Sequence, residues 1–373
     1  MPVLIAGGGV AGAAAACLLG PEATLIERET APHDKICGEF ISAEAVAYLR
    51  RLGVEPDALG AAEVHTVRLI HGATVAETRL PFPALGLSRR ALDAALLERA
   101  EALGATVLRG PSVRRVQDGV AEVGGLGKFP GHAVFLATGK HDLRGLRREP
   151  VRPPEALVGL KMYLRIDAAQ ARALAGHVEV VLFPGGYAGL QPVEGGAANL
   201  CILIEQNAFA AADESWDGVQ ALLEAHSPHV AMRLAGAVPL LTRPLSIFRV
   251  PYGFVHRPTP ADQPGVFRLG DQAAVIPSFA GDGVSIALHS AFAAAAAVRS
   301  GGAASYHAQI RRDLGRQVAR AWTIYRAGRA APALVTGGAR LWPGAMRWAA
   351  RLTRVSGNAL MAHDVRIGGP RSA

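Results

Sequence analysis

Cysteine is scarce in this chain. Cys17, Cys37 and Cys201 are the only three in 373 residues, and no two form a C-x-x-C pair. An odd, widely spaced set excludes a disulfide framework and offers no structural zinc site, so no metal is expected and a reducing, cytoplasmic setting is the default. Long apolar runs are missing too. Half of the residues are hydrophobic, yet no stretch reaches about 18 uninterrupted apolar residues, so no spanning helix is expected. The opening VLIAGGGVAGAAAACLL lacks the basic segment of a secretory signal, and its fixed glycine spacing suits a turn better. Aromatics make up 6% and no nucleic-acid motif occurs, so nucleic acid is not an expected partner.

Acidic residues are nearly absent from the C-terminal region. From Arg299 onward there are 13 Arg and no Lys against Asp313 and Asp364, a net +11 in a chain of formal charge +8. A basic, Ala-rich helical tail suits a solvated helix face, an acidic partner or an anionic membrane surface. In YHAQIRRDLGRQVARAWTIYRAG, Ile310, Leu314, Val318, Trp322 and Tyr325 recur at spacings of three and four and share one helix face, with Arg311, Arg312, Arg316 and Arg320 largely elsewhere. The tail is expected to dock this stripe on the rest of the protein. Peripheral membrane contact through its Arg-rich helices is the alternative.

The N-terminal pattern carries chemistry. VLIA (3–6) ends in glycines, VAGAAAACLL reads as a helix of small residues, and ATLI (23–26) closes on Glu27. Strand, glycine turn, helix, strand and acid form the βαβ dinucleotide pattern. Gly7 makes the tight turn, Gly9 lets backbone approach a pyrophosphate, and Gly12 permits close helix–strand packing. The helix start offers free N–H groups to phosphate, and Glu27, 20 residues after Gly7, would accept from ribose hydroxyls.

Further along, a helix is expected near 43–52, a hairpin over 64–80, and an amphipathic helix over 88–105 with Ser88 as N-cap and Gly104 as stop. Several short strands follow over 105–136. REPVRPPE (148–155) reads as a crossover between lobes. LVGLKMYLRI, HVEVVLF, YAGLQPV and NLCILI (157–205) predict an antiparallel sheet with a short helix after Asp167. Residues 216–235 read as helix, VFRLGD (266–271) as a buried strand, and 283–355 as mostly helix. KICGEF (35–40) leaves Cys37 open as nucleophile, cofactor lining or buried bystander, because nothing in the sequence orients His33 as its base. Glu39 reads as a pocket carboxylate or as a charge at the start of the next helix.

Three segments together resemble the superfamily of p-hydroxybenzoate hydroxylase-type and geranylgeranyl reductase-like flavoproteins: the glycine turn, SRRALDAALLERAEALGA with its R-x-x-L-D, and GDQAAVIPSFAGDG (270–283). The resemblance spans most of residues 1–300. It implies an α/β fold, with a glutathione-reductase-like Rossmann domain for FAD from 1–150 plus 260–300, a substrate domain over 151–259 joined by the strands of 60–85, and a helical region over 301–373. It implies that Asp271, after Gly270, holds a ribityl hydroxyl. Pro277, Gly281, Asp282, Gly283 and Val284 would line the isoalloxazine, with the following helix aimed at its C2 carbonyl. Arg89 would contact the cofactor, with Arg90 as the competing choice. Lys35, Cys37 and Gly38 match a K-x-C-G segment that passes beside the flavin, which makes Cys37 cofactor lining. Val10, Ala11, Arg28, Thr138 and Gly139 complete the implied FAD contacts.

The departures bear on activity. Where hydroxylases carry A-D-G with a downstream Ser and Arg, this chain has ATGKHDLRG (137–145), which puts direct NAD(P)H use, otherwise the implied electron supply, in question. YAGLQP (187–192) keeps Tyr187 and Pro192 of the reductases' Y-x-W-x-F-P but lacks its Trp and Phe, and the W-x-W-x-I-P of tryptophan-type halogenases is absent. The implied function is an FAD-dependent monooxygenase that hydroxylates a hydrophobic aromatic or polyketide-like metabolite through a flavin C4a-hydroperoxide. The alternatives are reduction of a C=C bond in a lipid or quinone, and a flavin-binding partner module without turnover. Cys37, Glu39 and Tyr187 are the candidate catalytic residues.

Overall fold

A computed structural model describes residues 2–148, 156–248, 251–259 and 262–364. Most of the expected crossover 148–155 lies outside them.

The strands Val3–Ala6, Ala23–Glu27, Thr106–Arg109, Ala133–Leu136 and Val266–Arg268 form one parallel sheet, with Val3–Ala6 at its centre. Both faces of its central strands are covered, so VLIA and AVFL are apolar and buried throughout. Val3, Ile5, Leu25 and Phe135 meet the helices Val10–Leu19, Arg89–Ala102 and Gly283–Ser300. Leu4, Ala6, Ile26 and Leu136 meet a three-stranded antiparallel sheet from Val113–Gln117, Val120–Val123 and Gly127–Pro130. Five of the nine buried residues of the first helix are alanine, and Ala13 to Ala16 are fully enclosed. Small side chains let the second and third helices pack close to it. Gly283–Ser300 is long and apolar enough to cross a membrane, but most of it is buried inside this lobe.

The second sheet runs in the order Val238–Pro239, Leu157–Arg165, Ala198–Glu205, Gly186–Pro192, Gly176–Phe183, Ala62–His71, Thr74–Gly86, Phe40–Ile41. It is not wholly antiparallel: Gly176–Phe183 pairs parallel to Ala62–His71, where the hairpin over 62–86 joins the later strands. One face packs Val158, Leu160, Met162, Ile202 and Ile204 under the helices Trp216–His226 and Pro228–Leu234. The single helix expected over 216–235 is divided at Ser227–Pro228, because proline cannot continue the hydrogen-bond ladder. Because side chains alternate along a strand, the opposite face carries three rows across the sheet. These are Tyr163/Asn199/Gln191, Lys161/Cys201/Gly189 and Gly159/Leu203/Tyr187.

The tail docks on the protein. Helix Gly302–Ala330 buries Ile310, Leu314, Val318 and Tyr325, half-buries Trp322, and exposes Arg311, Arg312, Arg316 and Arg320. Ile310, Leu314 and Val318 belong to the same core as the first helix. Leu314→Ala therefore leaves a core cavity and lowers stability by about 2–5 kcal/mol in urea denaturation. A loss below about 0.5 kcal/mol would mean that the helix is peripheral to the fold.

Candidate cofactor and substrate site

The glycine turn closes as its sequence demands. Gly7 has φ +107° and donates to the Ile26 carbonyl at 2.9 Å. A Cβ on Gly12 would collide with the Gly7 carbonyl. Gly8 N–H donates to Glu27 Oε2 at 2.5 Å and Glu29 N–H to Oε1 at 3.0 Å, so Glu27 also braces the turn. Val10 and Ala11 are buried at the helix start. Arg28 turns outward to Glu29 and His141.

Two cations meet at this helix start. The Cβ position of Gly9 lies 3.3 Å from Arg89 Nη2 and 3.6 Å from Lys35 Nζ. Both bind the buried carboxylate of Asp93, Lys35 at 2.8 Å and Arg89 through two bonds of 2.9 Å. Burial works against the Asp93 charge, but Arg89 and Lys35 outweigh it and hold the carboxyl below its ordinary value. Arg90 instead pairs with Asp34 near the surface. Arg89 thus stands at the turn and Arg90 does not. A cleft beside it is lined by Gly8, Glu27, Lys35, Asp93 and Arg109.

KICGEF crosses from this lobe to the second sheet, and Glu39 fixes it there. Glu39 is fully buried with φ +61°, a conformation a glutamate holds only under constraint. Its Oε1 accepts from Arg89 N–H at 2.7 Å, Lys161 Nζ at 2.5 Å and Tyr163 OH at 2.7 Å. Lys161 is itself fully buried, and its remaining bonds go to the Lys35 carbonyl at 3.0 Å and Tyr163 OH at 2.8 Å. Asn199 Nδ2 holds the Cys37 and Gly38 carbonyls, each at 3.0 Å. Burial raises the Glu39 pKa, with Lys161 pulling the other way. Glu39 is thus an anchor in the pocket wall rather than a charge at the next helix, whose N-cap is Ser42. Cys37 is half-buried, accepts from Glu39 N–H at 3.3 Å and lies against Arg89. Among the described residues His33 hydrogen-bonds the Ala31 carbonyl and not Cys37, so it gives Cys37 no base.

The second motif folds beside this loop. Gly270, at φ +55°, starts a single helical turn in which the Asp271 side chain has no hydrogen-bond partner among the described residues. Arg148 and Gln272 tie Gly139, Lys140, His141 and Asp142 to that turn, and Thr138 donates to the His141 carbonyl at 2.5 Å. Pro277 leads into the turn that ends at Gly281, where a Cβ would strike Phe40 at 2.7 Å. Asp282 departs from expectation. Its fully buried carboxylate is taken up by Ser42, Gln317, Arg354 and the Val355 N–H, leaving only its backbone for a ligand. Val284 is buried in the helix that follows.

Tyr187 belongs to an aromatic wall at the other end of the sheet face. Its ring meets Phe279 and Tyr325 edge-on at 6.3 and 6.1 Å, while Tyr252 and Trp322 pack on Tyr325. Tyr187 OH lies 3.4 Å from Tyr252 OH, which bonds Ser278. Burial raises the Tyr187 pKa, so its phenol stays protonated.

Residues 1–125 match the family model described as FAD binding domain. The whole chain is similar in structure to the flavin-dependent brominase Bmp2, with TM-score 0.75 and 18% identity over 94% of this chain and 92% of that one. It is similar to the flavin-dependent halogenase CmlS, with TM-score 0.73 and 21% identity over 97% and 69%. It is also similar to PqsL, a probable FAD-dependent monooxygenase from Pseudomonas aeruginosa, with TM-score 0.72 and 17% identity over 89% and 96%. No curated protein matches by sequence. The chain shares the fold of these flavin-dependent proteins.

The residues of this site fit FAD. Arg89 and Lys35 supply positive charge at the helix start, where a pyrophosphate would sit. Asp271 offers a carboxylate without a hydrogen-bond partner among the described residues. Among the described residues, chain neighbours aside, no atom lies within 4 Å of the Cβ positions of Gly38, Gly139 or Gly283, so backbone is open to a flat ring there. Asn199 Oδ1, Gln191 Nε2 and Glu39 Oε2 are buried without partners among the described residues, as polar atoms awaiting water or ligand would be. Among the described residues one group, His256, Asp262 and His307, brings metal-ligating atoms together. There His307 Nε2 accepts from Arg268 N–H, and His256 bonds Asp262.

Sequence reasoning missed Lys161, Tyr163, Asn199 and Gln191. The lysine alone left a signal: one charge inside LVGLKMYL, a strand apolar on both faces, needs a buried partner.

Two measurements check this arrangement. Lys161→Met strands the Glu39 carboxylate and lowers stability by about 3–5 kcal/mol, whereas adding Glu39→Gln restores part of the loss. Additive losses in chemical denaturation would show that the two groups do not depend on each other. Burial pushes the Asp282 carboxyl up to about 7 against the pull of Arg354. A pKa raised on folding gives stability that is complete below the ordinary carboxylate range and lost as pH rises through about 7. The unfolding free energy therefore falls between about pH 4 and 7, and Asp282→Asn flattens that slope. An unchanged slope in the variant contradicts the assignment.

Proposed function

We propose that the protein is an FAD-dependent monooxygenase that hydroxylates a hydrophobic, aromatic or polyketide-like metabolite, with NAD(P)H as electron donor. The observation that carries this reading is the aromatic wall of Tyr187, Tyr252, Phe279, Trp322 and Tyr325, set beside the Pro277–Gly283 loop. Bound FAD, once reduced, supplies the activation of dioxygen. The protein's part is positional. Aromatic rings bury an apolar substrate and keep water out, while the Tyr187 and Tyr252 hydroxyls give it a polar handle. The Glu39–Lys161 clamp holds Cys37 and Gly38 at a fixed distance from the sheet, with Cys37 as lining. The similarity in fold to PqsL and to the halogenases supports flavin chemistry with oxygen.

A second reading, reduction of a C=C bond in a lipid or quinone, is favoured by the K-x-C-G segment of Lys35, Cys37 and Gly38. NADPH oxidation by the reconstituted protein separates the two when run with aromatic candidates, with and without oxygen, and with products read by mass spectrometry. Monooxygenation predicts oxygen-dependent addition of one oxygen atom, and Phe279→Ala should raise KM by about tenfold through lost apolar contact. Substrate reduction that proceeds without oxygen would establish the reductase reading instead.

A further inference from the structure

The helices after residue 330 carry an apolar surface that the other described residues leave uncovered. Helix Pro332–Leu341 buries Thr336 and Ala339. Leu334 and Leu341 lie roughly 170° around its axis from that buried side, and they are 78% and 89% exposed. Trp342 follows at the turn. The next helix, Gly344–Leu352, has no buried residue and exposes Trp348, with Arg347 and Arg351 beside it. Trp342 and Trp348 are 67% and 62% exposed. Two exposed tryptophans and two exposed leucines within 15 residues exceed the scattered apolar exposure of an ordinary surface.

Charge decides what can cover this surface. Between Asp313 and Asp364 there are eight arginines and no acidic side chain. A second copy meeting it through a two-fold contact would bring the same positive field against itself. An anionic lipid surface complements both features, because indole rings favour the headgroup boundary and arginines attract acidic headgroups. We propose that Leu334, Leu341, Trp342 and Trp348, flanked by Arg347 and Arg351, form a docking surface for an anionic membrane.

This moves the contact away from the helix where the sequence suggested it, since the apolar stripe of Gly302–Ala330 is taken up in the core. The surface also lies close in the chain to the cofactor loop. Arg354, two residues after the second helix, donates to the Gly281 carbonyl at 3.3 Å and lies 5.1 Å from the Phe82 ring centre. Docking would therefore set the Gly281–Gly283 loop near the lipid. The proposal rests on the surface alone and holds for either reaction above.

The test is vesicle flotation of the full chain with phosphatidylcholine vesicles and with vesicles containing phosphatidylglycerol, at low salt and at about 0.15 M salt. The protein floats with the anionic vesicles, less so at the higher salt, and its tryptophan emission is quenched by brominated acyl chains. Trp342→Ser with Trp348→Ser, or Arg347→Glu with Arg351→Glu, lowers the bound fraction by about tenfold or more. The far-UV circular dichroism and unfolding transition of both variants stay as in the parent, because all four side chains are exposed. Absence of flotation with anionic vesicles overturns the proposal. So does binding that both variants retain. A concentration-dependent dimer that the tryptophan variant abolishes, in a protein that ignores vesicles, assigns the surface to a second copy and also overturns it.

Discussion

The buried pair of Glu39 and Lys161 is the constraint on which the site depends. Neither side chain reaches water, and each would be costly to bury alone. Together they join three pieces of chain that are distant in sequence: the loop 35–40, the start of the helix at Arg89, and the strand Leu157–Arg165. Arg89 ties the pair to the glycine turn, since its backbone N–H serves Glu39 and its guanidinium stands at Gly9. One cluster thus fixes where phosphate-binding groups stand relative to the sheet face that carries Cys201 and Gly189. Such a pair adds little net stability but allows one arrangement of its partners.

A second tie runs from the other end of the chain. Asp282, in the loop that would meet the flavin, spends its carboxylate on Gln317 and Arg354. The tail is consequently part of the site's support, and its helix Gly302–Ala330 also brings Trp322 and Tyr325 to the aromatic wall. Arg311, Arg312, Arg316 and Arg320 of that helix lie on the opposite, solvated side. The same segment therefore serves the core with one face and presents positive charge with the other.

Much of this was legible because it is local. Gly7, Gly9 and Gly12 declare a turn by spacing, Ser88 caps its helix, and the three-and-four recurrence of Ile310, Leu314 and Val318 declares a buried face. What could not be read depends on tertiary contact. Asp282 resembles a cofactor residue in sequence, and only the fold shows that Arg354, 72 residues later, engages it. Glu39 looked equally like a helix-start charge until Lys161 came to lie against it. The parallel junction of Gly176–Phe183 with Ala62–His71 is a choice of partner, which strand patterning does not encode.

Taken from residues to chemistry, the molecule is a flavoprotein fold in which a polar clamp and an aromatic wall share one sheet face, with open glycine backbone at Gly38, Gly139 and Gly283. That arrangement fits a flat, anionic dinucleotide cofactor. The most direct measurement is the cofactor content of the purified or FAD-reconstituted protein, released by denaturation and identified by chromatography. The account predicts one FAD per chain, with a flavin absorbance spectrum before release. Release of NAD, or failure to bind FAD on reconstitution of a folded protein, would contradict it.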